Sequence, residues 1–183
     1  VGDVRADRRP NPIRLLFRVS LRHPARVARL VLACTSAGGP GGSSWDLQEV
    51  HGLKGDERMR AWLPKLDVRN DVATSPWTLA PGLAPVVAAL AARPPLESEA
   101  LVGRQRQLSA GQNHDTWDRL PTITAPTLCI GGRFDRQASP ANMERLASRI
   151  PGSRLVKCDG GHLFLAQDPT AWPVIVDFLS AKA

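Results

Sequence analysis

The chain has 183 residues and a mass of 19.8 kDa, the size of one ordinary domain. Apolar residues make up 43% and charged residues 22%, which excludes a compositionally disordered chain. The longest apolar run, Leu83 to Ala92, contains Pro85 and is too short for a membrane span, so a soluble protein is expected. Three cysteines in no motif spacing speak against a disulfide scaffold or a zinc cluster and point to a reducing compartment, the cytoplasm. No cofactor or metal is expected.

The net charge of +7 belongs to one end of the chain. Residues 1–30 hold eight arginines against Asp3 and Asp7, a balance of +6. The remainder carries only +1, so no nucleic-acid face is expected on the domain as a whole. Arg14, Arg18, Arg22 and Arg26 recur every four residues. A helix would gather at least the first three on one side, as a solvated face or as a stripe for anionic partners.

Residues 1–12 are polar, Arg-rich and punctuated by Pro10 and Pro12, so residues 1–19 are taken as a leader with an atypical helix start. Arg14 and Arg18 interrupt the only apolar stretch that could form the core of a signal peptide. Ile13 to Arg22 has helical apolar spacing and stops before Pro24. The run Arg29 to Cys34 reads as a buried strand feeding the glycine-rich loop Thr35 to Gly42. Residues 43–120 look helical and irregular, cut by six prolines from Pro64 to Pro95, with Glu97 to Leu108 the cleanest helix.

The last third is more regular. Thr127 to Ile130 predicts a strand closed by Gly131 and Gly132, and Pro140 to Ile150 a helix ended by Pro151 and Gly152. Leu155 to Cys158 predicts a third strand closed by Gly160 and Gly161. A final helix over Pro169 to Leu179 would be entered through Asp168 as its cap. Alternating strands and helices imply parallel strands, whose functional groups lie in loops beyond their C-terminal ends. Asp135 and His162 stand there, after successive strands and after glycine pairs. An acid and a histidine on neighbouring parallel strands form the orienting half of a catalytic triad.

With these residues placed, the chain resembles the alpha/beta-hydrolase superfamily, in particular bacterial esterase and lactonase-like members. The resemblance is to the C-terminal two-thirds only and runs from about Ser20 to Phe178. His23 to Leu32 is similar to the segment after the nucleophile helix, Ala125 to Asp135 to the acid strand and loop, and Gly160 to Leu165 to the histidine loop. The resemblance implies a partial alpha/beta-hydrolase fold, α/β in class, with a short parallel sheet, flanking helices and a helical cap over residues 43–120. Residues 20–183 would form this region. Asp135 would be the triad acid and His162 the general base, acting on a small-molecule ester or lactone.

One part of the family's pattern is missing. The nucleophile normally sits in a G-x-S-x-G turn between strand and helix, and the family's spacing puts that turn at Arg8 to Pro12, where no serine, cysteine or aspartate stands. Cys34-Thr35-Ser36-Ala37-Gly38 imitates the motif with cysteine in place of the first glycine, which makes Ser36 the candidate nucleophile. Against it, the glycine-rich stretch that follows is poor helix material. Three functions stay open. They are a carboxylic ester hydrolase, a truncated or frame-altered non-catalytic hydrolase chain, and a basic N-terminal segment binding anionic partners. A three-stranded sheet would also leave an edge exposed, where a homo-oligomer could form.

Overall fold

The computed structural model describes residues 12–73, 76–92, 98–112 and 114–181. The leader over residues 1–11, and the turn assigned to Arg8 to Pro12 up to that point, lie outside the described residues. Three strands, β1 (Leu30–Ala33), β2 (Thr127–Gly132) and β3 (Arg154–Cys158), form a parallel sheet in the order β1-β2-β3. Leu30 pairs with Thr127 and Ala33 with Ile130, while Leu128 pairs with Arg154 and Gly132 with Cys158. The pairing aligns the C-terminal ends of all three strands on one side of the molecule.

All six residues of β2 are buried, as expected of a central strand covered on both faces. Successive residues point to opposite faces. Leu30, Leu32 and Cys129 join Phe17, Met143, Leu146 and Ile150 in one core. Leu128 and Ile130 join Ala138, Phe164, Ala171 and Ile175 in the other. The first core is built with α1 (Pro12–Arg22) and α5 (Pro140–Arg149), the second with α6 (Phe164–Gln167) and α7 (Ala171–Ser180). The sheet is thereby sandwiched between two helical layers.

Helix α1 agrees with the expectation from apolar spacing, and Arg18, Arg22 and Arg26 are all exposed. Between β1 and β2 the chain forms α2 (Gly55–Leu66), α3 (Leu83–Ala91) and α4 (Ser98–Gln112), joined by 3-10 turns and irregular stretches. Pro64 lies inside α2 rather than breaking it. Pro85 falls in the first turn of α3, where a missing N–H costs no intrahelical bond.

The C-terminal elements differ from expectation in two details. The short helix α6 fills the interval after the histidine loop. Thr170, not Asp168, occupies the cap position of α7. Asp168 instead accepts bonds from the Thr170 N–H and hydroxyl at 2.9 and 2.6 Å and from the Asp159 N–H at 2.7 Å. This side chain anchors the start of the histidine loop, where it leaves β3.

Candidate functional site

The loops leaving β2 and β3 touch each other directly. A Cβ on Gly132 would run into the carbonyl oxygens of Gly160 and Gly161, and one on Gly161 into the Leu66 carbonyl. Glycine is required there because backbone approaches backbone. Phe134 N–H donates to the Gly160 carbonyl at 3.0 Å, and Arg133 N–H to that of Cys158 at 3.1 Å. The end of α2 supplies the third wall. Its Lys65 and Leu66 carbonyls accept from the Arg136 N–H at 3.1 Å and the His162 N–H at 2.6 Å. Carbonyls at a helix end lack intrahelical partners, and here the acid and histidine loops provide them.

This frame brings Asp135 and His162 together. The Nδ1 of His162 lies 2.9 Å from Oδ2 of Asp135, whose side chain is 1% exposed. The other carboxylate oxygen, Oδ1, accepts from the Gln137 and Ala138 N–H groups at 2.7 and 2.8 Å. Both oxygens are thus occupied and the carboxylate cannot rotate without breaking two backbone bonds. An ionised carboxylate only accepts, so Nδ1 carries the shared proton. Nε2 is then the unprotonated nitrogen, in the tautomer that suits a general base.

The group on Nε2 is Gln137, whose amide Nε2–H donates to it at 2.7 Å. Trp62 of α2 in turn donates its indole N–H to Oε1 of Gln137 at 3.0 Å. Sequence reasoning missed both residues. Gln137 stands two places after Asp135, near enough to have been suspected, but Trp62 has no local signal. Ser36 is half-buried in the loop after β1 and is not the partner of Nε2. The chain beyond it makes the 3-10 turn Gly39–Gly41 rather than an α-helix. Ser20, inside α1, is 2% exposed and donates its hydroxyl to the Phe17 carbonyl.

Cys34 sits beside the pair with a left-handed φ of 43°, a conformation that side chains with a Cβ rarely adopt. Its Sγ and ligand atoms of Asp135 and His162 lie within 4.8 Å of one another, a donor set that zinc-like ions accept. Burial first, and then the Asp135 charge, push the Cys34 thiol well above its ordinary range, and it hydrogen-bonds the carboxylate. Cys129 is raised to about 12 by burial, and Cys158 to about 11 mainly by burial. All three cysteines are free and buried, so none is a poised thiolate.

A second network braces the histidine loop. Asp67, fully buried, receives a two-pronged bond from Arg69, with Nε to Oδ1 at 3.0 Å and Nη2 to Oδ2 at 2.7 Å. Gln167 donates to Oδ2 of Asp67 at 2.8 Å and accepts from the Gly161 N–H at 2.8 Å. Burial alone would raise the Asp67 pKa. The bonds from Arg69 and Gln167 outweigh it and hold the carboxyl below its ordinary value. Arg69 also lies 3.9 Å from the centre of the Phe134 ring, tying the same brace to the acid loop.

No protein-family model matches the chain. Its structure is similar over 94% of its length to an enol-lactonase from Burkholderia xenovorans LB400, at 25% identity and a TM-score of 0.69. It is similar over 92% to a hydrolase from Pseudomonas aeruginosa PA01, at 27% identity and a TM-score of 0.66. The chain has a partial alpha/beta-hydrolase fold. It covers 64% and 62% of those two chains. In sequence, 82 residues are 38% identical to a poly(3-hydroxyalkanoate) depolymerase from Ectopseudomonas oleovorans, which is 44% of this chain and 29% of that protein. The alpha/beta-hydrolase resemblance drawn from the acid and histidine motifs is therefore matched by the structure. No described helix is long and apolar enough to cross a membrane.

Proposed function

We propose that this chain acts on carboxylic esters or lactones through the Asp135–His162 pair. The observation that carries the reading is the 2.9 Å contact between Asp135 and Nδ1 of His162, with the remaining carboxylate oxygen held by two backbone N–H groups. Such an acid fixes the imidazole's orientation and stabilises the imidazolium formed when Nε2 takes a proton. Helices α2 to α4 would act as the cap, with α2 already forming one wall of the site. A lactone in the name of the Burkholderia xenovorans neighbour supports the substrate class. The nucleophile would be Ser36, a water, or a hydroxyl supplied by another chain, displacing Gln137 from Nε2.

Fluorophosphonate labelling tests this, alongside hydrolysis of a p-nitrophenyl ester. Hydrolysis should fall by roughly 10²–10⁴-fold in His162→Ala, the usual worth of a positioned general base. Labelling of one serine that is lost in His162→Ala identifies the nucleophile, and peptide mapping decides whether it is Ser36. A folded sample that neither labels nor hydrolyses retires the proposal. The second reading, a non-catalytic hydrolase fold, would then hold. One observation favours it: the basic nitrogen is already bonded to an amide that cannot act as a nucleophile.

A further inference from the structure

We propose that Gln137 and Trp62 are positioning residues that keep Nε2 of His162 as a hydrogen-bond acceptor and gate access to it. The proposal rests on the reading of His162 as a general base. Its geometry is a chain of hydrogen bonds with one direction throughout. The Trp62 indole N–H can only donate, so it turns the carbonyl end of the Gln137 amide toward itself. The amino end must then face His162, where it donates to Nε2. Nδ1–H in turn donates to Asp135.

The opposite orientation of Gln137 would set its amino group against the Trp62 N–H, leaving two donors face to face. That costs the desolvation of both with no acceptor gained. The proton arrangement that Asp135 imposes on the imidazole is therefore reinforced from α2, by a residue 75 positions away from Gln137 in the chain. The backbone of Gln137 is held in place, so any movement of the amide is a side-chain rotation. It is 9% exposed, its N–H is bonded to Asp135, and its carbonyl accepts from the Trp45 N–H at 2.6 Å. Arg58 lies 5.7 Å from the centre of the Trp62 ring, a contact that helps hold the indole in place.

The amide occupies the place from which a hydroxyl or water would hand its proton to the base. A reacting group reaches Nε2 only after the Gln137 side chain rotates aside. The His162 side chain as a whole is 21% exposed, so it is not sealed off by burial alone.

Acylation by diethyl pyrocarbonate, followed by peptide mapping, reads this directly, with exposed His23 as the internal reference. The ratio of His162 to His23 modification should rise about five- to tenfold in Gln137→Ala, the factor set by losing one net hydrogen bond. A smaller rise is expected in Trp62→Phe, which keeps a large ring and removes only the donor, so the test survives if Gln137→Ala fails to fold. Nitrogen-15 NMR adds a signature that packing alone would not produce. A scalar coupling between Gln137 Nε2 and His162 Nε2 should be present in the unaltered chain, weaker in Trp62→Phe and absent in Gln137→Ala. An unchanged modification ratio in the folded variants, with no such coupling in the unaltered chain, overturns the proposal. If the coupling and the rise both appear in a chain that hydrolyses no ester, the gate stands and the hydrolase reading falls.

Discussion

At the exits of β2 and β3, side chains and backbone answer each other bond for bond. Asp135 has both oxygens filled, Gln137 has its backbone N–H, its carbonyl and both ends of its amide engaged, and Gly161 is tied to Gln167. The exit of β1 is built differently. Cys34 takes a left-handed turn, and the Thr35 hydroxyl is buried with no partner among the described residues. Both regions stand at the same end of one sheet. The difference shows that the Asp135–His162 contact is held mainly by its own two loops and one helix end, with the Cys34 thiol adding one bond from the neighbouring strand.

The sharpest way to break this contrast is to attack the brace. Arg69→Met leaves Asp67 buried and uncompensated, and the chain should lose about 3 kcal/mol, the low end for such a pair because Arg69 is partly exposed. Urea denaturation measures the loss, and a midpoint within error of the parent would show that the network carries no weight. Acid provides a milder test. Asp67 and Asp168 both have pKa values below the ordinary carboxylate value, Asp67 through Arg69 and Gln167 despite its burial, Asp168 first through its Thr170 bond. A carboxyl depressed in the folded state stabilises above its unfolded pKa and loses that contribution as pH falls through the folded one. Thermal stability should thus decline below about pH 4, with a shallower slope in Asp67→Asn.

The smallest effect is expected on the other side of the comparison. Thr35→Val replaces a buried, unbonded hydroxyl with a methyl of similar shape, and should raise stability by about 1 kcal/mol. A loss on calorimetry would mean that the hydroxyl is bonded in solution.

Much of the sheet was legible because its strands are short apolar runs ended by glycine pairs, Thr127 to Gly132 being the clearest. Asp135 and His162 are legible for the same reason, since His162 follows such an ending directly and Asp135 stands three residues after one. The cap of α7 was assigned to Asp168 because aspartate is a good cap, but that side chain is spent on Asp159 and Thr170. Proline spacing predicts breaks at Pro64 and Pro85, yet Pro85 sits in a first turn where no bond is lost, and α2 continues past Pro64 for only two residues. Trp62 could not be found from sequence. Its role depends on a contact with Gln137 that only the packed chain creates, and no spacing rule encodes it.

The seating of the two loops on the last carbonyls of α2 also constrains the order of assembly. Lys65 and Leu66 accept from Arg136 and His162 across long intervals of chain, and long intervals are the entropically costly ones to close. Strand pairing between β2 and β3 involves a much shorter separation and can form early. The loops of the site can take their final shape only when α2 arrives. Alignment of the imidazole is therefore expected to follow β2–β3 pairing, and a local loosening of α2 is expected to disturb it.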